Sequence, residues 1–361
     1  MSKIQWDHFS LTIEWGSGRS TRFPAVWLRD QCPADRDQGT GQRLDDIADL
    51  PERPEIQNVV CSDDVLEIRW TDDSPPCVLS VDWFRSVLDP RPPDGLPWTA
   101  RDADRFRWTE YAVVQSDSWR TMEWLAALVR DGLAFMTGVP EIEGEVEEAA
   151  RLLGYVTETN YGRIFDVRAT ATPNNLAYTP RALGVHTDNP YREPVPGYQL
   201  LHCLTAAPQG GESVFVDGFA VAGRLRDVNV ASFKILATTS VDFAFRDSGA
   251  DLRARRPLIQ LDDCGQVRAI HYNNRSISTA HVPLEIAEEF FQAYRKFARL
   301  LRAPEFEFRV MLKPGELVAF DNSRILHGRT AFTGQRLLQG CYVNRDGVAS
   351  NLATLRRKLL S

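Results

Sequence analysis

Short runs of alternating apolar and polar residues fill the first 85 positions, a period typical of half-buried β-strands. The runs span 10–15, 23–28 and 65–70. They predict a small β-rich N-terminal domain over residues 1–85. Four prolines then break the pattern between residues 86 and 107, which predicts a Pro-rich linker.

The pattern changes in residues 108–361. Helical spacing predicts helices near 117–131 and 143–153, and a third from Pro283 to about residue 302. The apolar face of the third helix comprises Ile286, Phe290, Tyr294, Phe297 and Leu301. Many short strands after residue 155 favour a double-sheet jelly roll. The fold expected is therefore mainly β (α+β), with helices flanking a jelly-roll core.

Composition excludes several classes of protein. The chain has 361 residues, 43% hydrophobic and 25% charged, as in ordinary globular proteins. Its net charge of −7 argues against a nucleic-acid surface. No apolar run is long enough to span a membrane, and the N-terminus lacks the apolar segment of a secretion signal. The six scattered cysteines are typical of free thiols, so we expect a cytoplasmic protein.

The main candidate chemistry is a metal site. In a strand, residues i and i+2 share a face, so His186-Thr187-Asp188 can present two ligands while Thr187 faces away. A distant short strand then ends near His327. Two histidines and one carboxylate can occupy one face of an octahedral Fe(II) and leave three positions open, as in non-heme iron oxygenases.

Several segments resemble the 2-oxoglutarate-dependent dioxygenases of the taurine dioxygenase superfamily, and most closely its γ-butyrobetaine and trimethyllysine dioxygenase branch. The resemblance covers nearly the whole chain from about residue 20. The matching segments are Trp27-Leu28-Arg29-Asp30, Asn174-Asn175-Leu176-Ala177-Tyr178, His186-Thr187-Asp188-Asn189-Pro190, Gln199-Leu200-Leu201-His202-Cys203, Gly210-Gly211-Glu212-Ser213, Tyr272-Asn273-Asn274, His327-Gly328-Arg329 and Gln339-Gly340-Cys341-Tyr342.

The resemblance implies a double-stranded β-helix, a homodimer, and an enzyme that uses Fe(II), 2-oxoglutarate and O₂. Such an enzyme converts 2-oxoglutarate to succinate and CO₂ and hydroxylates an unactivated C–H bond. A carboxylate is gripped by an arginine in a bidentate manner. Arg336 matches the family position for this role, with Arg329 and Arg345 as alternatives, and Ser213 matches a hydroxyl that contacts the same carboxylate.

The resemblance also implies a substrate pocket. A quaternary ammonium is recognised by aromatic faces, and the matching cage positions here are Tyr161, Phe165, Tyr178 and Tyr342. The matching positions for an anionic end are Asn175, Asn273 and Asn274, beside which Arg275 could bind a carboxylate or a phosphonate.

The branch usually carries a structural zinc in its N-terminal domain. Here Cys32 is present, but the next two cysteine positions are Ala34 and Asp37, and the histidine position is Ser74. Structural zinc takes about four ligands. We therefore expect no structural zinc.

The function predicted is hydroxylation of a small cationic or zwitterionic substrate, with γ-butyrobetaine to carnitine favoured. The alternatives are (2-trimethylammonio)ethylphosphonate, trimethyllysine or a specialised metabolite. Rivals from other classes are a non-catalytic jelly-roll binding protein and a zinc or manganese hydrolase. No nucleic-acid or membrane partner is expected.

Overall fold

The computed structural model describes residues 3–88, 95–169 and 178–360. The chain divides into two compact units, with the boundary between residues 92 and 93. Each unit has its own apolar clusters of buried side chains.

The first unit contains two three-stranded antiparallel sheets, β1-β2-β3 and β4-β5-β6. Leu11, Ile13, Leu66 and Ile68 are fully buried in its core, as the alternating pattern predicts. Its elements are β1 (Lys3–Asp7), β2 (Ser10–Glu14), β3 (Ser20–Pro24), α1 (Ala25–Asp30), β4 (Ile56–Ser62), β5 (Val65–Trp70), β6 (Cys77–Ser80) and α2 (Val81–Leu88), with short 3₁₀ turns at Pro33–Asp35 and Ile47–Asp49.

One predicted strand of this unit was wrong. The run at 23–28 is a strand only as far as Pro24, and α1 follows it. Proline has no N–H to extend a strand ladder, and its fixed φ suits the start of a helix. Ala25 and Leu28, three residues apart, are the buried face of this helix, so the apolar run carries a helical period too short to recognise.

The predicted linker at 86–107 also differs, because much of it is folded. Helix α2 continues to Leu88, and Trp98 and Phe106 are buried in the core of the second unit. The Trp98 indole donates to the Asp131 carbonyl at 2.8 Å, and its backbone N–H donates to Asp217 Oδ2 at 3.0 Å. These two large aromatic side chains provide enough apolar surface to fix residues 95–107 in the second unit.

The second unit holds the remaining strands and helices. They are β7 (Trp108–Glu110), α3 (Tyr111–Ser116), α4 (Ser118–Asp131), β8 (Leu133–Thr137), α5 (Glu145–Ala150), β9 (Val156–Thr157), β10 (Phe165–Val167), β11 (Leu183–His186), β12 (Tyr198–Thr205), β13 (Gln209–Gly210), β14 (Ser213–Asp217), α6 (Gly218–Val228), α7 (Val230–Thr238), β15 (Ser240–Arg246), β16 (Asp251–Pro257), β17 (Ile259–Leu261), β18 (Val267–Ile270), β19 (Ile277–Ser278), α8 (Ala287–Leu300), β20 (Glu307–Val310), β21 (Leu317–Asp321), β22 (Ile325–Arg329), β23 (Phe332–Thr333), β24 (Leu337–Val343) and α9 (Arg345–Leu360), with 3₁₀ turns at Ala100–Arg105 and Leu284–Ile286.

Two sheets form the centre of this unit. The larger has the order β10-β24-β12-β21-β8-β7, with β9 also on β24, and the smaller has the order β11-β22-β14-β20. Phe135 and Phe320 of the larger sheet share one apolar cluster with Phe215 of the smaller sheet. The two sheets therefore pack through a common core, and the predicted jelly roll is confirmed.

The three predicted helices are present as α4, α5 and α8. Helix α4 begins where the Asp117 side chain accepts from the Trp119 N–H at 2.8 Å, and ends at Gly132, whose φ of 70° is in the left-handed region. Helix α8 buries Phe290 and Phe297, as its apolar spacing predicts. Within the described ranges, no helix is both long and apolar enough to cross a membrane.

Candidate metal centre and adjoining cavity

Three side chains converge where β11 meets β22. His186 and His327 lie directly opposite each other in the antiparallel pair. Asp188 follows two residues after His186, beyond the end of β11. Asp188 Oδ1 lies 3.3 Å from His186 Nε2, and Asp188 Oδ2 lies 3.7 Å from His327 Nε2. The predicted triad is therefore assembled by strand pairing as well as by the spacing of two residues.

Close backbone contacts fix this arrangement. A Cβ on Gly328 would meet the Leu183 carbonyl oxygen at 2.4 Å, so only glycine lets β11 approach β22 beside His327. His186 Nδ1 lies 3.0 Å from the Gly184 carbonyl, which fixes the tautomer that leaves Nε2 for a metal. These contacts hold β11 against β22 and orient the His186 imidazole before any metal binds.

Asn322 holds the third ligand, and the sequence pattern indicated only a turn there. Its Oδ1 accepts from the Asp188 N–H at 2.7 Å, and its Nδ2 donates to the Asp188 carbonyl at 3.0 Å. Nδ2 also donates to the Pro196 carbonyl at 3.0 Å. The only available signal was a polar residue between two buried strands, directly after β21 and three residues before the strand that carries His327.

The electrostatics of the triad suit a divalent metal. Burial lowers the pKa of His327 to about 3, and burial followed by the Arg275 charge lowers that of His186. Both rings are therefore neutral near pH 7, with lone pairs to donate. Burial opposes the ionisation of Asp188, but the two histidines and the Tyr342 hydroxyl outweigh it and hold the carboxyl pKa below its usual range.

The donor set fits Fe(II). The candidate ligand atoms of His186, Asp188 and His327 all lie within 4.8 Å of one another, and no second such cluster occurs in the parts of the chain that the structure describes. Two imidazole nitrogens and one carboxylate on one face are the set expected for a non-heme iron oxygenase.

A cavity of about 420 Å³ opens beside the triad. The residues that line it come from both sheets and from the hairpin formed by β15 and β16. They are Tyr161, Phe165, Val167, Tyr178, Leu183, His186, Asp188, Asn189, Tyr191, Gln199, Leu201, Ser213, Ala244, Phe245, Arg246, Asn273, Arg275, Ser276, His327, Gly328, Arg329, Arg336, Leu338 and Tyr342.

Four arginines line this cavity: Arg329 and Arg336 are buried, whereas Arg246 and Arg275 are exposed. Burial, followed by repulsion from Arg329, lowers the pKa of Arg336 to about 10. Burial, followed by repulsion from Arg275, lowers that of Arg329 to about 10. Both groups stay charged at neutral pH. Asp188 is the one carboxylate of the lining within the described residues, so the cavity has an excess of positive charge.

The competing arginines differ in their contacts. Arg329 donates to the carbonyls of Thr179 and Arg181. Arg345 pairs with Asp321 at 3.2 Å and does not line the cavity. Arg336 is buried, lines the cavity, and forms no ion pair among the described residues. The geometry therefore favours Arg336 for an anionic ligand, and Ser213 lines the same cavity.

All four predicted cage residues line the cavity. The ring centroids of Phe165 and Tyr342 lie 5.0 Å apart, and those of Tyr161 and Phe165 lie 6.5 Å apart. Tyr178 lines the same cavity. The rings enclose one aromatic chamber beside the triad.

Two further rings were missed from the sequence. Phe245, on β15, lies 5.9 Å from Tyr161 between ring centroids and stacks on Tyr191 at 5.2 Å. The Tyr161 and Tyr191 hydroxyls are 3.1 Å apart. Phe245 lies outside every segment that carried the family resemblance, so no local signal pointed to it.

The residues that were predicted to bind the anionic end of the substrate do not all line the cavity. Arg275 and Asn273 line the cavity, but the Asn273 side chain donates to the Thr187 carbonyl at 3.1 Å and accepts from the Arg275 N–H at 3.1 Å. Asn274 lies outside the cavity, because its amide is bonded to the Tyr272 and Tyr294 hydroxyls. The structure therefore gives no support to the predicted contact between Asn274 and the substrate.

Asn175 lies outside the described residues, so its predicted role has no structural counterpart here. Arg275 remains the cationic candidate for an anionic substrate end. Its Nε lies 3.5 Å from Asn273 Oδ1, which orients the guanidinium.

Two protein families match the chain. The model of the family described as "Taurine catabolism dioxygenase TauD, TfdA family" matches residues 99–342. The model described as "Gamma-butyrobetaine hydroxylase-like, N-terminal" matches residues 3–85. Together they cover most of both units.

Relatives of known function match along nearly their whole length. A γ-butyrobetaine dioxygenase of Pseudomonas sp. (strain AK-1) is 36% identical over 96% of this chain and 94% of its own. A γ-butyrobetaine dioxygenase of Homo sapiens is 31% identical over 97% and 95%. A trimethyllysine dioxygenase of Meyerozyma guilliermondii is 28% identical over 98% and 95%.

Solved structures agree on the fold. The crystal structure of an asparagine oxygenase in complex with Fe(II), hydroxyasparagine and succinate aligns with a TM-score of 0.50 at 19% identity, over 66% of this chain and 93% of that one. At this identity the match supports the fold alone.

Proposed function

The chain belongs to the TauD/TfdA dioxygenase family, and from that premise we propose that it hydroxylates γ-butyrobetaine to carnitine. It is a 2-oxoglutarate-dependent non-heme iron dioxygenase. His186, Asp188 and His327 would hold Fe(II), which supplies the activation of O₂ when it is bound. The remaining question is the substrate, and the cavity beside the triad supports the proposal.

The observation that carries the proposal is that aromatic walls and an excess of guanidinium groups share one cavity. Aromatic faces attract a quaternary ammonium group, which cannot donate a conventional hydrogen bond. The arginines would repel a simple cation. A zwitterion fits both the aromatic walls and the guanidinium groups, because its anionic end offsets a guanidinium while its cationic end contacts the rings.

The two anions would use different arginines. Arg336, with Ser213 nearby, would bind the distal carboxylate of 2-oxoglutarate. Arg275 lines the same cavity as the aromatic rings, and Asn273 Oδ1 orients its guanidinium. It would bind the substrate carboxylate. Holding both ends of the substrate presents one methylene group to the metal.

The chemistry of the lining also ranks the alternative substrates. Trimethyllysine carries an additional α-ammonium group, which needs an acidic or carbonyl partner. Among the described residues of the lining, Asp188 is the only carboxylate, and it belongs to the metal centre. A trimethylammonio ethylphosphonate has no such group and would suit a bidentate Arg275, so it is the nearest alternative.

A panel of substrates tests the proposal. Purified protein with Fe(II), 2-oxoglutarate and O₂ is assayed for succinate and for a product that has gained one oxygen atom. We expect γ-butyrobetaine to give the highest kcat/KM, the phosphonate less, and trimethyllysine least. If γ-butyrobetaine does not stimulate succinate formation, the proposed substrate is wrong, although the enzyme class stands.

We also propose a cytoplasmic homodimer. The resemblance to the γ-butyrobetaine branch supports the dimer, and the six scattered cysteines, none of which is in a disulfide, support a reducing compartment. Light scattering of the purified protein checks the first proposal, and cell fractionation checks the second.

A further inference from the structure

One side chain contacts both the metal centre and the aromatic chamber. Tyr342 lies on β24, and its hydroxyl donates to Asp188 Oδ2 at 2.8 Å. Its ring lies 5.0 Å from the Phe165 ring between centroids and forms part of the cavity wall. The family resemblance accounts for the ring as part of a cage, but it assigns nothing to the hydroxyl.

The hydrogen bond from Tyr342 makes the two oxygens of the Asp188 carboxylate inequivalent. Oδ2 accepts from Tyr342 and lies 3.7 Å from His327 Nε2, whereas Oδ1 has no hydroxyl donor and lies closer, 3.3 Å, to His186 Nε2. A carboxylate can bind a metal through one oxygen or through both. An oxygen held by a hydroxyl donor is less available, so the bond favours Oδ1 as the single ligand atom.

The backbone of Asp188 is fixed independently of its side chain. Asn322 holds the peptide N–H and the carbonyl of Asp188 but does not contact the carboxylate. Rotation about the side-chain torsions therefore remains, and Tyr342 is the hydroxyl that limits it. Partners of this kind orient metal ligands and commonly change metal affinity by about 10–100-fold when they are removed.

We propose that Tyr342 is a positioning residue of the metal centre, which holds Asp188 to one-oxygen coordination and links occupation of the aromatic chamber to the metal. Coordination through one oxygen keeps positions open for 2-oxoglutarate and O₂. A cation against the ring draws electron density from it and makes the hydroxyl a stronger donor to Asp188. This second part rests on the proposed quaternary-ammonium substrate, whereas the first does not.

The test of the first part uses Tyr342→Phe, which keeps the ring and removes the hydroxyl. Binding of Mn(II) and Co(II) to the metal-free protein is measured without substrate or 2-oxoglutarate. We expect the affinity of Tyr342→Phe to fall by about tenfold or more. Unchanged affinity would overturn the proposal.

Tyr178→Phe is the matched control. The change in chemistry is identical and the residue lines the same cavity, but no hydrogen bond joins Tyr178 to a triad residue within the described part of the chain. Its metal affinity should equal that of the wild type. An equal loss in both variants would make the effect a general property of the cavity and would overturn the specific role of Tyr342.

A second measurement does not depend on stability. The absorption spectrum of the Co(II) protein at saturating metal reports the coordination of the ion. If Tyr342 holds Oδ2, the spectrum of Tyr342→Phe should differ from that of the wild type, because the carboxylate is no longer held in one orientation. Superimposable spectra would contradict the proposal even if the variant were less stable.

The linkage is tested by repeating the Mn(II) titration with γ-butyrobetaine present. In the wild type, the substrate should raise metal affinity, and the metal should raise substrate affinity by the same factor. In Tyr342→Phe this factor should approach one. If the variant retains the wild-type factor, the linkage through the hydroxyl is wrong. A substrate that does not bind wild type at all contradicts the proposed substrate, while the metal titrations still decide the positioning role.

Discussion

The Asn322 side chain holds both backbone groups of Asp188, as a neighbouring strand would. It accepts from the Asp188 N–H at 2.7 Å and donates to the Asp188 carbonyl at 3.0 Å. β11 ends at His186, so Asp188 has no strand partner of its own. The fully buried amide of Asn322 supplies the hydrogen bonds that the ladder no longer provides.

We therefore predict that Asn322→Ala weakens both the fold and the metal centre. The unpaired groups of Asp188 and Pro196 should lower the free energy of unfolding by about 1–3 kcal/mol. Iron affinity should fall as well, because Asp188 is no longer fixed. Chemical denaturation and metal titration measure the two effects.

Asn351→Ala is the control for that variant. Its amide also donates to a backbone carbonyl, that of Leu152, at 2.6 Å, but it lies on α9 and does not line the cavity. This variant should lose stability and keep metal affinity. Equal metal affinity in both variants would show that Asn322 has only a structural role.

We predict that His186→Ala or Asp188→Asn abolishes iron-dependent formation of succinate from 2-oxoglutarate. Each change removes or weakens one of three protein ligands, so the remaining two hold the metal poorly. The metal-free variants should retain the circular dichroism spectrum of the wild type. Succinate formation near the wild-type rate in either variant would contradict the assignment of the triad.

The sequence predicted the triad because its geometry is largely local. The spacing of two residues keeps Asp188 beside His186 although β11 ends at His186, and the strand that carries His327 has a strong apolar pattern. The contact between β11 and β22 is not local, but the order of short strands favoured a jelly roll in which such strands meet. Both the fold and the metal ligands could therefore be predicted from the sequence.

Other features depended on contacts between distant residues. Asn322 was only a polar turn residue, and Phe245 was only an apolar strand residue, until the fold placed them against Asp188 and Tyr161. Asn274 matched a motif, but two tyrosine hydroxyls engage its amide away from the cavity. Motif matches thus predicted which segments lie near the site. The orientation of each side chain depended instead on its hydrogen-bond and packing partners.

We predict that Arg336→Ala raises the KM for 2-oxoglutarate sharply, because a buried carboxylate would lose its bidentate partner at a cost of about 2–5 kcal/mol. Arg336→Lys keeps the charge but not the planar guanidinium. Its KM for 2-oxoglutarate should therefore lie between those of the wild type and Arg336→Ala. Arg275→Ala should instead raise the KM for the betaine. Steady-state kinetics with each substrate varied in turn checks this separation. An unchanged 2-oxoglutarate KM in Arg336→Ala would move the role to Arg329.

The N-terminal unit has an ion pair where the family resemblance implies a zinc. Arg29 is buried, pairs with Asp35, and donates to the Ser74 hydroxyl at 3.2 Å. Ser74 is the residue at the histidine position of the zinc site. Cys32 and Cys77 are both fully buried in the core of the unit. The Arg29 side chain therefore supplies a positive charge where the resemblance implies a zinc ion.

We predict at most one tightly bound metal ion per chain. Arg29→Met should lower the free energy of unfolding by about 3 kcal/mol, since it leaves a largely buried Asp35 unpaired. Arg69→Met, which removes an exposed pair with Glu67, should cost no more than about 1 kcal/mol. Elemental analysis and denaturation check both statements. A second stoichiometric zinc near Cys32 would show that the positions of the ligands were misaligned.

The aromatic cage can be tested without disturbing the metal centre, because Tyr178 forms part of the chamber and has no hydrogen bond to the triad in the described residues. Tyr178→Ala should weaken the binding of γ-butyrobetaine by about 1–2 kcal/mol, from lost cation–π attraction and lost burial. Turnover of 2-oxoglutarate without substrate should be largely retained. Tyr342→Ala should differ, because it also releases Asp188 and should therefore lower this uncoupled turnover.

A neutral isostere separates charge recognition from shape. With a tert-butyl group in place of trimethylammonium, size and the carboxylate are kept and the positive charge is lost. Calorimetric titration should show that the wild type binds the isostere more weakly than γ-butyrobetaine, and that Tyr178→Ala narrows the difference. Equal affinities in the wild type would mean that the chamber recognises apolar shape alone. The quaternary-ammonium assignment would then be wrong, whereas the triad and Arg336 would still define a 2-oxoglutarate-dependent dioxygenase.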